Sequence, residues 1–207
     1  MQRPERRSRK IGLTQGGRVR NGKPREKPSR LFSHDIWEKL SQQVGSDSPA
    51  VLRENPSGGY YHPCGGREYL AVLQRLPAEL RSGVKAIVLR RSPKLDIELG
   101  IEARRRYRCV ILNSFPRHNE MRWESRPSSA SRRHYGRWCS RWNESETVLR
   151  WTKDELRRYY LFHLFLHEVG HINQPWFHSL RRREEFAENF ALEWAAMLGE
   201  LPPPVLI

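Results

Sequence analysis

The sequence lacks the long apolar run that a membrane-spanning helix requires. Such a helix needs about 20 consecutive apolar residues, whereas the longest runs here are short ones such as Tyr69 to Leu73. Cysteine is also scarce, since the chain has only 3, at positions 64, 109 and 139, without paired spacing. We therefore expect neither a transmembrane protein nor a disulfide framework, and we expect the reducing environment of the cytoplasm.

Acidic residues are too few to balance the basic ones: 23 Asp and Glu face 38 Lys and Arg, giving a formal net charge of +15. Residues 1–30 alone hold 11 basic and 2 acidic side chains, a net charge of +9, and they have no apolar centre of the kind found in a secretory signal. We predict a disordered basic arm over this segment. Such an arm either keeps the protein soluble or contacts a nucleic acid or another acidic partner.

The rest of the chain combines helical and strand-like patterns, which predicts an α/β protein. We expect a helix at residues 31–40, a polar linker up to residue 59, and one domain over residues 60–207. Within that domain the patterns predict a helix at 67–76, a short turn at 77–81, and strands at 86–89, 95–101, 107–112 and 147–151.

Residues 116–143 are rich in arginine, serine and proline, and they predict a long loop or insertion. Between residues 117 and 141, seven arginines accompany aromatic side chains such as Trp123, Tyr135 and Trp138. Single-stranded nucleic acids bind to such surfaces, because bases stack on the rings while the cations neutralise phosphate. The other interpretation is a surface loop whose tryptophans anchor it to the domain, and we favour this one.

The longest helical pattern covers residues 152–172 and starts with a capping box at Thr152. Its C-terminal half reads H-E-V-G-H from His167 to His171. Four residues turn an α-helix through about 400°, so both imidazoles project from one face, and Glu168 lies beside an ion bound between them. A chance match to this pattern is expected only about 0.03 times in such a chain. We predict a zinc-binding helix with Glu168 as general base.

A hydrolytic zinc site needs three protein ligands and an open position, so a third ligand is required. A second helix is predicted over residues 182–198, ended by Gly199, and it offers Glu184, Glu185 and Glu188. Small residues on one face of this helix predict that the two helices approach closely. The simpler interpretation is that acidic residues merely favour a helix N-terminus, and spacing alone leaves the third ligand open.

The segment His167–His171, together with Glu184–Ala191, resembles the gluzincin metallopeptidases. The likeness is greatest to the compact ImmA/IrrE-type and lethal-factor-type members. In those families the second helix carries the pattern E-x-x-A-x-x-F, which matches Glu184, Ala187 and Phe190.

The resemblance implies roles for two glutamates. Glu184 is expected to be the third zinc ligand, and Glu188 is expected to be a hydrogen-bond partner that orients a zinc histidine. The resemblance is most specific over residues 156–198. Two features depart from the pattern: the 13 residues from His171 to Glu184 are a short connection, and Glu188 stands where ImmA/IrrE-type members usually have Asn or Asp.

The resemblance also implies a fold and an activity. The fold is a compact α+β zincin-like domain, with a small twisted sheet packed on the HExxH helix and on the second, glutamate-bearing helix. Zn²⁺ is expected to be held by His167, His171 and Glu184, with Glu168 activating water for hydrolysis of a peptide bond. The expected substrate is a protein or peptide, and the ImmA/IrrE-type members imply a regulatory protease with a narrow substrate range.

An alternative from another class is a basic nucleic-acid-binding protein whose zinc site is structural or vestigial. Its working surface would consist of the arm at residues 1–30 and the segment 117–141. This alternative predicts a metal without turnover. A peptidase, by contrast, loses turnover and keeps zinc when Glu168 is replaced by glutamine.

Two further roles stay open in the sequence. Cys64, in a Gly-rich run, is either an inhibitory thiolate that binds the zinc or an ordinary turn residue, and we favour the turn residue. Zinc peptidases also stabilise the oxyanion with an extra donor, for which the candidates are His134, Tyr135, Tyr159, Tyr160 and His178.

Overall fold

The computed structural model of the protein describes residues 48–143, 145, 147–176 and 179–203. The predicted basic arm at residues 1–30 and the predicted helix at 31–40 lie outside the described residues. Within them, strands and helices are mixed, which confirms the predicted α+β class. No helix of this described part is long and apolar enough to cross a membrane.

The main sheet has four strands in the order β1 (Ala50–Arg53), β3 (Ala86–Arg90), β5 (Cys109–Asn113) and β4 (Ala103–Arg106). The first three are parallel, and β4 runs antiparallel along β5. Burial explains why β3 and β5 are central, since residues 86–89 and 109–113 are buried throughout, as in strands covered on both faces. Among the described strands, β4 therefore forms one edge of this sheet.

The remaining strands form two short antiparallel pairs: β2 (Tyr60–Tyr61) with β6 (Phe115–Pro116), and β7 (Glu120–Arg122) with β8 (Val148–Arg150). Among the described residues, four helices precede the H-E-x-x-H motif: α1 (Gly66–Gln74), α2 (Ala78–Arg81), α3 (Lys94–Glu98) and α4 (Ser129–Trp138). The helix predicted at 67–76 and the strands predicted at 86–89, 107–112 and 147–151 are confirmed to within a few residues.

One continuous helical segment carries the motif and has three parts: α5 (Lys153–Tyr159), a π-helical turn (Tyr160–Leu164) and α6 (Phe165–Asn173). The predicted capping box is present, because Thr152 Oγ1 accepts a hydrogen bond from Glu155 N at 3.1 Å and Glu155 Oε2 accepts one from Thr152 N at 2.8 Å. The helix predicted at 152–172 is therefore confirmed. Periodicity gave no indication of the π turn within it.

The helix α7 (Leu180–Met197) packs against α6. It confirms the predicted second helix, and Gly199 has a φ of +72°, the left-handed conformation in which glycine ends a helix. At the contact, a Cβ added to Gly170 would lie 3.1 Å from Cα of Ala187 and 3.1 Å from Cβ of Phe190. Glycine at position 170 therefore permits the close approach of the two helices.

The predicted strand at residues 95–101 is wrong, because its first half forms the helix α3. The alternation predicted apolar residues inside, yet Ile97 and Leu99 are 48% and 53% exposed while Asp96 is only 3% exposed. The Asp96 carboxylate accepts hydrogen bonds from the side chains of Arg90, Arg104 and Asn113. Because these partners lie elsewhere in the chain, the local pattern cannot indicate that the carboxylate is buried.

Two predicted loops also contain regular structure. The linker predicted up to residue 59 includes β1, which pairs with β3, and the loop predicted at 116–143 includes β7 and α4. The tryptophans do anchor this second segment, since Trp138 is 3% exposed and the rings of Trp123 and Trp142 stack with centroids 5.2 Å apart. The buried ring of Trp138 is therefore not available to stack on a nucleic-acid base.

Because α6 and α7 are in close contact at Gly170, we expect a side chain at position 170 to lower the stability of the fold. We expect Gly170→Val to lower the free energy of unfolding by about 1–3 kcal/mol, the usual cost of overpacking a filled contact, and to displace α7. Gly58→Val is the matched control, since a Cβ at Gly58 meets no atom within 4 Å. Urea unfolding measures both variants, and equal losses in the two would contradict a tight helix contact.

Candidate metal centre

The two helices bring three potential metal ligands together. His167 and His171 lie one turn apart on α6, with ring centroids 4.7 Å apart, and Glu184 lies in the second turn of α7. Oε2 of Glu184 is 3.4 Å from Nε2 of His167 and 3.5 Å from Nε2 of His171. The ligand atoms of the three residues lie within 4.8 Å of one another. These are the residues that the sequence predicted as a zinc site.

These distances fit a zinc ion better than they fit direct hydrogen bonds. Zinc binds imidazole nitrogen and carboxylate oxygen at about 2.0–2.2 Å, so the ligand atoms of a tetrahedral ion lie about 3.3 Å apart. The measured nitrogen-to-oxygen separations are 3.4 and 3.5 Å, whereas an N–H···O hydrogen bond is usually about 2.9–3.0 Å long. Two imidazoles and one carboxylate also form the ligand set of many catalytic zinc sites, which keep a fourth position open.

The other nitrogen of each imidazole faces a side chain that can orient the ring. Nδ1 of His171 lies 3.0 Å from Oε1 of Gln174, and because this oxygen only accepts, Nδ1 donates and the Nε2 lone pair faces Glu184. Nδ1 of His167 is 3.5 Å from Oε2 of Glu188. Glu188 thus lies beside a ligand histidine, where the resemblance to gluzincins expects it.

The site attracts positive charge. Burial lowers the pKa of His167, but the nearby carboxylates of Glu184 and Glu188 outweigh it and raise the pKa to about 9. The nearby imidazoles of His167 and His171 hold the pKa of the Glu184 carboxyl far below its usual range. The carboxylates therefore favour a bound cation, whether a proton on an imidazole or a metal ion between the rings, and metal binding weakens as the pH falls.

Glu168 follows the first ligand on α6 and is only 7% exposed. Burial raises the pKa of its carboxyl to about 6, although the nearby charges of His167 and His171 oppose the rise. The Glu168 carboxyl is thus close enough to both imidazoles for their charge to change its pKa. A carboxyl pKa raised towards neutral pH suits a general base, whose pKa should lie near the operating pH.

A pocket of about 540 Å³ lies against two of the three candidate ligands, His167 and Glu184. The side chains around it combine carboxylates with imidazoles, which suits a cation-binding site in an otherwise strongly basic chain. Its lining consists of His134, His167, Glu184, Glu185, Glu188 and Asn189.

The candidate oxyanion donors fall into two groups. The hydroxyl groups of Tyr159 and Tyr135 donate to Oε2 of Glu102 at 2.8 and 3.3 Å, and the hydroxyl of Tyr160 donates to the backbone carbonyl of Asn113 at 3.2 Å. All three tyrosines are therefore engaged inside the fold. His134 lines the pocket, and His178 lies outside the described residues.

Cys64 does not join the three ligands. It is 2% exposed, its Sγ donates to the backbone carbonyl of Arg157 at 3.6 Å, and burial raises the pKa of its thiol to about 12. Among the described residues, the ligand group around His167 contains no cysteine. The structure therefore favours an ordinary buried turn residue over an inhibitory thiolate.

His163 was not predicted from the sequence as a site residue. It lies in the π turn, is 2% exposed, and has its Nε2 3.0 Å from Oε2 of Glu188. Burial lowers the pKa of His163 to about 4, so the ring is neutral at pH 7. A signal was available, because His163 precedes His167 by the same four residues that separate His167 from His171.

No model of a known protein family matches the chain, and no curated protein or solved structure matches it either. The likeness to gluzincins therefore rests on the residues of the two helices alone. What the site can do has to follow from its own geometry and chemistry.

The two neighbouring glutamates of α7 give a test of the ligand set. We expect Glu184→Ala to weaken zinc binding by more than the roughly 10–100-fold that loss of an outer hydrogen-bond partner costs, because a direct ligand is removed. Glu185→Ala should leave the affinity nearly unchanged, since the Glu185 carboxylate pairs with Arg181 at 2.7 Å. Competition with a zinc chelator measures both, and the reverse order would mean that the wrong glutamate faces the ion.

Proposed function

We propose that the protein is a zinc-dependent peptidase with a narrow range of protein substrates. The observation that carries the proposal is the convergence of His167, His171 and Glu184 at separations of 3.4 and 3.5 Å. These separations match the ligands of a single tetrahedral ion. Glu168 supplies the remaining element of a hydrolytic site, a carboxylate next to the ligands.

The chemistry divides between the ion and the chain. Zinc, when bound, supplies Lewis-acid polarisation of the substrate carbonyl. Glu168 accepts the proton from the attacking water and passes it to the leaving amine. Gln174 and Glu188 hold the imidazoles of His171 and His167 in the orientation that presents Nε2 to the site.

The sheet offers a place for an extended substrate. Among the described strands, β4 pairs only with β5, and β4 also contacts α6. An edge strand can add a further strand through main-chain hydrogen bonds, so a peptide laid along β4 would run next to the helix that carries Glu168. Side-chain preferences then depend on the small protein surface around the site. Such a surface contacts few substrate side chains, which favours a narrow substrate range over broad digestion.

The alternative, a nucleic-acid-binding protein with a structural zinc site, has less support. Structural zinc sites usually have four protein ligands, whereas three ligands and an open position are typical of catalytic ones. Of the tryptophans that suggested base stacking, Trp138 is 3% exposed, and Trp123 and Trp142 are partly buried against the core. What remains for the alternative is the net charge of +15.

The role of Glu168 gives the decisive activity test. Glu168→Gln keeps the size of the side chain and removes the basic oxygen, so we expect unchanged zinc content and fold, with cleavage reduced at least about 10²–10⁴-fold. Cleavage is followed by incubating each protein with the proteome of the source organism and counting new protein N-termini by mass spectrometry, which detects any substrate in that mixture.

The matched control is Glu79→Gln, which removes an exposed carboxylate on α2 and should cleave as the wild type does. Identical fragments from the wild type and from Glu168→Gln would assign the cleavage to another site or to a contaminant, and would contradict the peptidase proposal.

A further inference from the structure

A second group of potential ligands lies beside the first. It consists of His134 from α4, His163 from the π turn and Glu188 from α7, and its ligand atoms lie within 4.8 Å of one another. We propose that these three residues bind a second divalent transition-metal cation. Its donor set, two imidazoles and one carboxylate, is the same as that of the first group and suits zinc.

The three residues of this second group lie close enough to bind one ion. Nε2 of His163 is 3.0 Å from Oε2 of Glu188, and Nδ1 of His134 is 3.6 Å from Oε1 of the same carboxylate. The shorter distance is that of an ordinary hydrogen bond, whereas the longer one is closer to the separation of about 3.3 Å between ligands of a tetrahedral zinc ion. The longer one exceeds a normal N–H···O hydrogen bond, so hydrogen bonding alone does not account for the position of His134.

The packing holds the His163 ring in place. The ring stacks on Tyr159 with centroids 5.3 Å apart and an interplanar angle of 10°, and its centroid is 5.4 Å from that of Trp138. The centroid of His134 lies 4.6 Å away on an adjacent helix. A ring that is 2% exposed and fixed on these sides cannot turn to solvent, so a ligand nitrogen is preorganised for an ion.

A cation can reach this group from solvent. The side chains of His134 and Glu188 are 30% and 34% exposed, and both line the pocket of about 540 Å³ that also contains Glu184 and Glu185. Three carboxylates around one pocket attract cations although the whole chain has a net charge of +15.

Glu188 links the two groups. Its Oε2 faces both Nε2 of His163, at 3.0 Å, and Nδ1 of the first-group ligand His167, at 3.5 Å. An ion held by His134, His163 and Glu188 would fix this carboxylate and, through it, the ring of His167. The two sites are therefore coupled through Glu188, so that filling one changes the affinity of the other.

Counting bound metal tests the proposal. We would strip the full chain with a chelator and titrate it with Co²⁺, following the visible d–d absorption, and then measure zinc content by mass spectrometry. We expect two equivalents in the wild type and one in His134→Ala, with His163→Gln as a second variant. The double variant His167→Ala/His171→Ala should also retain one equivalent, bound by the second group.

His118→Ala is the matched control, since His118 is exposed and belongs to neither group, and it should bind two equivalents. His134→Ala replaces a partly exposed side chain, so it decides the question even if the buried variant His163→Gln fails to fold. One equivalent in both the wild type and His134→Ala would overturn the second site and leave the first intact. Because metal is counted, this result is independent of the proposed peptidase activity.

Discussion

The close contact between α6 and α7 is the constraint on which the candidate site depends. Gly170 lets the helices approach until a Cβ at that position would be 3.1 Å from the backbone of Ala187. That approach brings Glu184 to the imidazoles of His167 and His171, and one turn later on α7 it brings Glu188 to Nδ1 of His167. A glycine inside a helix lowers the stability of that helix. Here the glycine is needed for the helix contact that assembles the site.

The π turn adds a second feature to the same helix. It covers Tyr160–Leu164 and ends directly before α6, and π turns occur often at functional sites. His163, within it, lies against Glu188, so the histidines at 163 and 167 face one carboxylate from successive turns. The pocket lies beside this helix, and its lining comes from α4, α6 and α7.

The sequence predicted the parts of the fold that local patterns determine. The helices at 152–172 and 182–198 follow from periodicity, from the capping box at Thr152 and from Gly199, all of which act within a few residues. Local patterns failed where partners in other elements decide, as for Asp96 of α3, whose buried carboxylate accepts hydrogen bonds from side chains of β3, β4 and β5. The motif identified His167 and His171, the resemblance singled out Glu184, and His163 was missed because it lies outside the H-E-x-x-H pattern, although it stands four residues before His167.

The most direct test of the central claim is anomalous diffraction from crystals of the zinc-loaded full chain, with data collected above and below the zinc absorption edge. We expect an anomalous peak between Nε2 of His167, Nε2 of His171 and the Glu184 carboxylate, present above the edge and lost below it. Ordered side chains at these three positions without a peak between them would mean that the three residues do not bind zinc.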